Sequence, residues 1–184
     1  STLDEVVEST TIINNLKKDF VFDEEVLIGV VIETPSAALL VNEICKHIDF
    51  ISIGTNDLIQ YTLAADRTNE NLRNIFTHFQ PSVIRILKYI IDNVPDKTYI
   101  SVCGEMANDI NCLPIFIGLG INELSMNYHS IPKIKSVIHD LSYNECENVL
   151  KDCLKTTDPT QVKEILSKCI DHNIVKAKSL LIDI

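Results

Sequence analysis

Residues Asp49–Arg67 read DFISIGTNDLIQYTLAADR. Phe50-Ile51-Ser52-Ile53 is an apolar, strand-like run that ends abruptly in Gly54-Thr55-Asn56-Asp57, and an amphipathic segment follows at once. A carboxylate and an amide at the mouth of a buried strand contribute little to packing. They suit the holding of a metal ion and a phosphate, with Arg67 ten residues further on as an anion clamp.

Working outward, the same strand-then-helix unit recurs. Val26–Ile32 is a continuous apolar run rich in β-branched residues, as expected of a strand buried on both faces. After it, Thr34 can cap a helix, Pro35 suits the first helical position, and Ala37–Ile48 supplies the apolar face. Leu58–Leu63 begins the helix after the Phe50 strand. An irregular link near Thr68–Gln80 leads to a long helix over Pro81–Val94. Tyr99–Val102 is a third strand ending in Cys103-Gly104-Glu105, with Ile110–Leu119 as its helix. Glu123–Met126 is a short fourth strand, followed by a helix from Pro132 to about Leu141. In front of all this, residues 4–18 carry apolar positions at helical spacing. Behind it, Ser142-Tyr143-Asn144-Glu145 is a capping-box pattern and Asp158-Pro159 opens a last helix. Repeated alternation of this kind predicts an α/β fold with a parallel sheet, and no linker marks a second domain. The expected division is βα units over 1–141 and C-terminal helices over 142–184, in one partial domain.

Composition sets the outer limits. Of 184 residues, 46% are hydrophobic and 23% charged, ordinary for a globular domain. The formal charge of −10, with no Lys/Arg cluster, argues against nucleic acid as a partner. No apolar run approaches the ~20 residues of a membrane span, so no membrane insertion is expected. The six cysteines show no CxxC pair and the five histidines no metal-site spacing, which reads as free thiols in a reducing cytoplasm. Cys146 and Cys153, seven apart, share a helix face and read as core.

In parallel α/β folds ligands gather outside the carboxyl ends of the strands. That places Glu33, Gly54–Asp57, Cys103–Glu105 and Met126–His129 on one rim. Glu33 and Asp57 are two acids on neighbouring strand ends, the set that Mg²⁺ takes alongside substrate oxygens. Either could equally cap the helix that follows it. Arg67 could bind phosphate or carboxylate in bidentate fashion, or pair with a surface acid. Cys103 could be an inert small hydrophobe, or a thiol that delivers a proton to carbon in a dry pocket.

The run SIGTNDLIQYTLAADR resembles the signature of the phosphoenolpyruvate-utilising enzymes. GVVIETPSAALL around Glu33, VCGEMA around Cys103 and LGINELSMNYHSIPKIK near the end agree in order. Together these segments are most similar to enzyme I of the bacterial sugar phosphotransferase system. Pyruvate phosphate dikinase and phosphoenolpyruvate synthase share the signature. The resemblance implies the last four βα units of a (β/α)₈ TIM barrel, a half-barrel with C-terminal helices. It also implies transfer of the phosphoryl group of phosphoenolpyruvate to a histidine on a separate domain, with release of pyruvate. On that basis Glu33 and Asp57 are Mg²⁺ ligands, Asn56, Asp57 and Arg67 bind phosphoenolpyruvate, and Cys103 is the proton donor. A phosphohistidine domain, a histidine-containing phosphocarrier protein and a homodimer are implied as partners.

The same resemblance implies parts that these 184 residues do not contain. These are the phosphohistidine domain and the first four strands with their phosphate-binding arginines. Losing two or three charge-assisted contacts at roughly 1.5–3 kcal/mol each leaves this polypeptide inactive by itself. A half-barrel would also expose strand edges at Val26–Ile32 and Glu123–Met126. Two alternatives are a fragment of a dikinase or synthase, and a non-catalytic remnant that only dimerises.

Overall fold

The structure, a computed structural model, describes residues 2–20, 25–72 and 75–182, with side chains described as far as Asn173. Four parallel strands run in the order β1-β2-β3-β4: Gly29–Ile32, Phe50–Gly54, Tyr99–Cys103 and Glu123–Leu124. The register pairs Ile32 with Ile53, Gly54 with Cys103, and Val102 with Leu124. Each strand feeds a helix, as the alternation predicts. After β1 come α2 (Pro35–Leu39) and α3 (Val41–Ile44). After β2 come α4 (Thr55–Leu63) and α5 (Pro81–Asn93). After β3 comes α6 (Leu113–Leu119), and after β4 comes α7 (Ile131–Asp140). The helix α1 (Leu3–Leu16) precedes the sheet, and α8 (Tyr143–Lys155) and α9 (Pro159–Ile182) follow it.

The caps are those that the residue types predict. Thr34 accepts from the Ala37 N–H with Pro35 in the first turn. Ser142 accepts from the Glu145 N–H, which is half of the expected capping box, while the Glu145 carboxylate accepts from Asn173 Nδ2. Asp158 accepts from the Thr160 N–H at the start of α9.

The two faces of the sheet differ. On one, Ile32, Ile51, Ile53, Ile100 and Val102 are buried against the helices, in a core that includes Val41, Leu58, Ile84, Leu87 and Phe116. Leu150 and Cys153 of α8 and Val162 and Leu166 of α9 join this core. The other face carries Phe50, Ser52 and Gly54 of β2 beside Tyr99, Ser101 and Cys103 of β3. Among the described residues no helix covers it, and Val31 (47% exposed) and Tyr99 (47% exposed) look outward.

Several expectations need adjusting. The strand expected over Val26–Ile32 is only Gly29–Ile32, and it is not buried on both faces, because Val31 lies on the uncovered side. Asp49 substitutes for strand pairing just before it, its carboxylate accepting from the Ile28 N–H at 2.7 Å. The helix expected over Ala37–Ile48 breaks at Leu40, which leaves helical geometry and separates α2 from α3. The fourth strand is only Glu123–Leu124. In α1 the apolar side is only partly covered: Val6 packs against the core, but Ile12 is 54% and Leu16 52% exposed. The link after Arg67 holds one 3₁₀ turn, Glu70–Leu72, and positions 73 and 74 within it lie outside the described residues.

Among the described residues, both outer strands lack a partner on one side, and an apolar groove accompanies each. One lies between α1 and β1, lined by Val6, Ile13, Ile28 and Val30. The other, about 420 Å³, lies beside β4 and is lined by Phe116, Leu124, Ile131 and Ile134. Unpaired edges flanked by apolar grooves favour pairing with another chain. Produced alone, the 184-residue polypeptide is therefore expected to self-associate. Size-exclusion chromatography with light scattering checks this, and a monodisperse monomer across a concentration series contradicts it.

Candidate active site at the carboxyl ends of the strands

The parallel register carries the chemistry-bearing residues to one end of the sheet. Ile32 pairs with Ile53 and Gly54 with Cys103, so Glu33, Gly54 and Cys103 form a single row across three adjacent strands. Gly54 is needed for the approach of Glu33. A Cβ there would stand 3.0 Å from Glu33 Cβ and 3.3 Å from Glu33 Oε2, tighter than ordinary packing. The Glu33 side chain thus lies across the end of β2, half-buried.

Asn56 and Asp57 stand in the first turn of α4, which begins at Thr55 and not at Leu58 as the apolar spacing implied. The helix N-terminus favours the Asp57 carboxylate there. Among the described residues, neither the Glu33 nor the Asp57 carboxylate accepts a hydrogen bond or enters an ion pair. Two half-buried carboxylates on adjacent strand ends, without protein partners, are hard oxygen donors of the kind that Mg²⁺ takes.

The segment after β3 is held by the segment after β2. Thr55 Oγ1 donates to the Cys103 carbonyl at 2.8 Å, and the Glu105 N–H donates to Asn56 Oδ1 at 2.9 Å. The second bond orients the amide. A backbone N–H can only donate, so Oδ1 faces Glu105 and the Nδ2 hydrogens remain available for an acceptor. Gly104 makes this closeness possible, with φ +104°, and a Cβ on it would collide with Thr55 Oγ1. Cys103 is half-buried on the open face, its sulfur accepting from Ser52 Oγ at 3.5 Å.

Arg67 is not in contact with this group among the described residues. It follows the α4 cap at Ala64, which has φ 49°, and its side chain is exposed. The chain doubles back there: the Ala65 N–H donates to the Gln60 carbonyl at 3.1 Å and the Arg67 N–H to Gln60 Oε1 at 3.4 Å. Arg67 is thereby returned to the level of Gln60, about one helical turn beyond Asp57. Of the rim expected at Met126–His129, Met126 lines the groove beside β4. Tyr128 is 71% exposed and stacks on His129 with ring centroids 3.8 Å apart.

Ser52, His78 and Asp109 escape a reading by spacing, and Thr55 enters only as part of the Gly54–Asp57 rim. Thr55 and Ser52 are recognisable in hindsight, because Ser52 shares strand parity with Gly54 and Thr55 follows a strand-end glycine. His78 and Asp109 are far apart in sequence, and nothing local pairs them. Their side chains meet at 2.8 Å, and Asp109 Oδ1 also accepts from the Asn111 N–H at 2.9 Å. With the fully buried Cys112 they place three potential ligand atoms within 4.8 Å of one another. The direct His–Asp bond makes this group a latch joining the α4–α5 connection to the segment after Cys103. Burial tends to raise the Asp109 pKa, but bonds from His78 and Asn111 outweigh it and hold the carboxyl below its ordinary value.

Residues 1–143 match the family model described as PEP-utilising enzyme, PEP-binding domain. The chain belongs to this family. It is 36% identical over 183 residues to the phosphoenolpyruvate-protein phosphotransferase of Mycoplasma genitalium, covering 99% of this chain and 31% of that protein. It is 40% identical over 156 residues to the enzyme of that name from Buchnera aphidicola of Schizaphis graminum, covering 84% of this chain and 27% of the other. The Listeria monocytogenes protein is 39% identical over 146 residues, covering 79% and 26%. The chain thus spans about three-tenths of the length of the curated relatives it matches.

Two outcomes follow. Gly104→Ala forces a left-handed conformation on a residue with a Cβ and a clash with Thr55. It is expected to lower stability by about 1–3 kcal/mol, read as a shift in the urea midpoint. Asp109, whose folded pKa is depressed, contributes stability that is present above the unfolded value of about 4 and lost as pH falls through the folded one. The stability gap between wild type and Asp109→Asn should therefore shrink below about pH 4 in urea titrations.

Proposed function

We propose that this chain is the C-terminal catalytic portion of a phosphoenolpyruvate–protein phosphotransferase. In this reading it completes a (β/α)₈ barrel in the full-length, cytoplasmic, homodimeric protein. What carries the reading is the single row formed by Glu33, Gly54 and Cys103, with Asn56 and Asp57 in the first turn of α4 directly after β2. Membership of the family and the printed names of the relatives support it.

Glu33 and Asp57 would hold Mg²⁺. Asn56 Nδ2 donates to an oxygen of phosphoenolpyruvate, and Arg67 turns in from beside Gln60 to neutralise its phosphate. A divalent ion bound there supplies charge neutralisation at the phosphate and at the oxygen of the departing enolate. The P–O bond breaks as the phosphoryl group passes to a histidine of a separate phosphohistidine domain, which in turn serves a histidine-containing phosphocarrier protein. Cys103 then protonates the methylene carbon. Its S–H bond breaks, the enolate electron pair forms the C–H bond, and the product is pyruvate with a thiolate left behind. The thiolate recovers its proton from solvent.

In the full-length protein, Cys103→Ala is expected to lower pyruvate formation by about 10²-fold or more while leaving overall fold and phosphoenolpyruvate binding intact. Unchanged turnover sinks the proton-donor role. Chelation with EDTA should stop pyruvate release and added Mg²⁺ restore it. Glu33→Gln and Asp57→Asn should each raise the Mg²⁺ concentration needed for half-maximal rate by about 10–100-fold.

A further inference from the structure

All six cysteines are described, and all but Cys103 are buried. Burial pushes the thiols of Cys146 and Cys153 up to about 12 and that of Cys169 up to about 11, so these stay protonated and inert at neutral pH. Cys103 differs in its surroundings. Its sulfur accepts from Ser52 Oγ at 3.5 Å, and its own S–H faces the Ile53 carbonyl at 3.6 Å. Both partners belong to β2, Ile53 one residue and Ser52 two residues before Gly54 at the mouth.

Ser52 is an unusual occupant of its position. The row it shares contains Val31 on β1, and β-branched apolar residues are the ordinary filling of a parallel-sheet interior. Its lateral neighbour Ser101 has the same side chain but a different bond, with Oγ turned to the Ile51 carbonyl at 3.4 Å. Among the described residues, Ser52 Oγ has no acceptor other than the Cys103 sulfur. The hydroxyl is thus committed to one atom, the sulfur at the mouth.

We propose that Ser52 is a positioning residue for Cys103. Its hydroxyl holds the sulfur at the strand mouth and donates to the thiolate formed when the thiol gives up its proton. This rests on Cys103 as the proton donor. At rest the proton is directed at the Ile53 carbonyl and the sulfur receives the Ser52 hydrogen bond. On proton delivery the S–H bond breaks toward the methylene carbon, and the Ser52 O–H bond becomes charge-assisted and strengthens. The Ile53 carbonyl oxygen facing the sulfur then disfavours the thiolate and favours return of a proton from solvent. Proton donor and recovery are thereby set by one strand.

The test reads the thiol directly. In the full-length protein, with EDTA present, the rate of iodoacetamide alkylation at Cys103 is followed from pH 6 to 10 by mass spectrometry of the Cys103 peptide. Among the described residues, the titratable groups at this end of the sheet are Glu33 at the end of β1, Asp57 in α4 and Glu105 after β3, and all three are unchanged in every variant. Ser52→Ala should make alkylation at pH 7 slower, by up to about tenfold. Ser52→Thr, which keeps the hydroxyl, should stay with wild type. Its near-isostere Ser52→Val should behave as Ser52→Ala, so the Thr–Val comparison decides the matter even where the alanine variant does not fold. Ser101→Ala should leave the profile in place. Superimposable profiles for wild type and Ser52→Val overturn the proposal, as does an equal shift in Ser101→Ala, which marks general loosening of the sheet. The alkylation profile needs no turnover, so it stands whatever Cys103→Ala does to pyruvate formation.

Discussion

The parallel register between β1, β2 and β3 is the constraint on which the remainder of the structure depends. Side chains alternate along a strand, so a slip of one residue would exchange the two faces of the sheet. It would bring Ile51, Ile53, Ile100 and Val102 out of the core and send Ser52, Gly54 and Cys103 into it. Burial of four β-branched side chains, at roughly 1.5–3 kcal/mol each, makes the observed register strongly preferred. The same choice aligns the ends of three strands. The core therefore determines the site: hydrophobic burial on one face sets which polar groups share a row on the other.

Local contacts convert that row into a fixed geometry. Gly54 admits the Glu33 side chain across the end of β2, and Gly104 admits Thr55 and Asn56 against the backbone that follows Cys103. Two hydrogen bonds, from Thr55 to the Cys103 carbonyl and from the Glu105 N–H to Asn56, stitch neighbouring strand ends together. The His78–Asp109 latch ties the long connection after Arg67 to the same segment. Behind the sheet, α8 and α9 supply Leu150, Cys153, Val162 and Leu166 to the core, so the cysteines there act as small hydrophobes. Burial leaves Cys103 as the accessible thiol of the six.

Most of the element pattern was legible because it rests on short-range physics. Thr34-Pro35, Ser142–Glu145 and Asp158-Pro159 cap helices where their chemistry predicts, since a cap needs only residues three or four apart. Boundaries were less legible where long-range surroundings intervene. Thr55-Asn56-Asp57 carries no apolar periodicity, yet it is helical because the strand end delivers the chain into α4 directly. Val26–Ile32 reads as a strand buried on both faces, but Val31 looks outward from an uncovered sheet. Leu40 sits inside an apolar run and still breaks the helix, and no local residue type announces it.

By itself the sequence determined the α/β alternation, the order of the strands' mouths along the chain, and the family. Each of these is carried by contiguous runs such as SIGTNDLIQYTLAADR. It also singled out Glu33, Asn56, Asp57, Arg67 and Cys103 as residues with chemistry to offer. The tertiary structure alone decided which of them meet. Glu33 reaches Gly54, and Asn56 reaches Glu105, because adjacent parallel strands are about 4.8 Å apart and in register. Arg67 stays at the side of α4, and Ser52 enters as the partner of the Cys103 sulfur. Contacts across fifty residues depend on strand pairing and burial acting together, and spacing along one chain does not encode them.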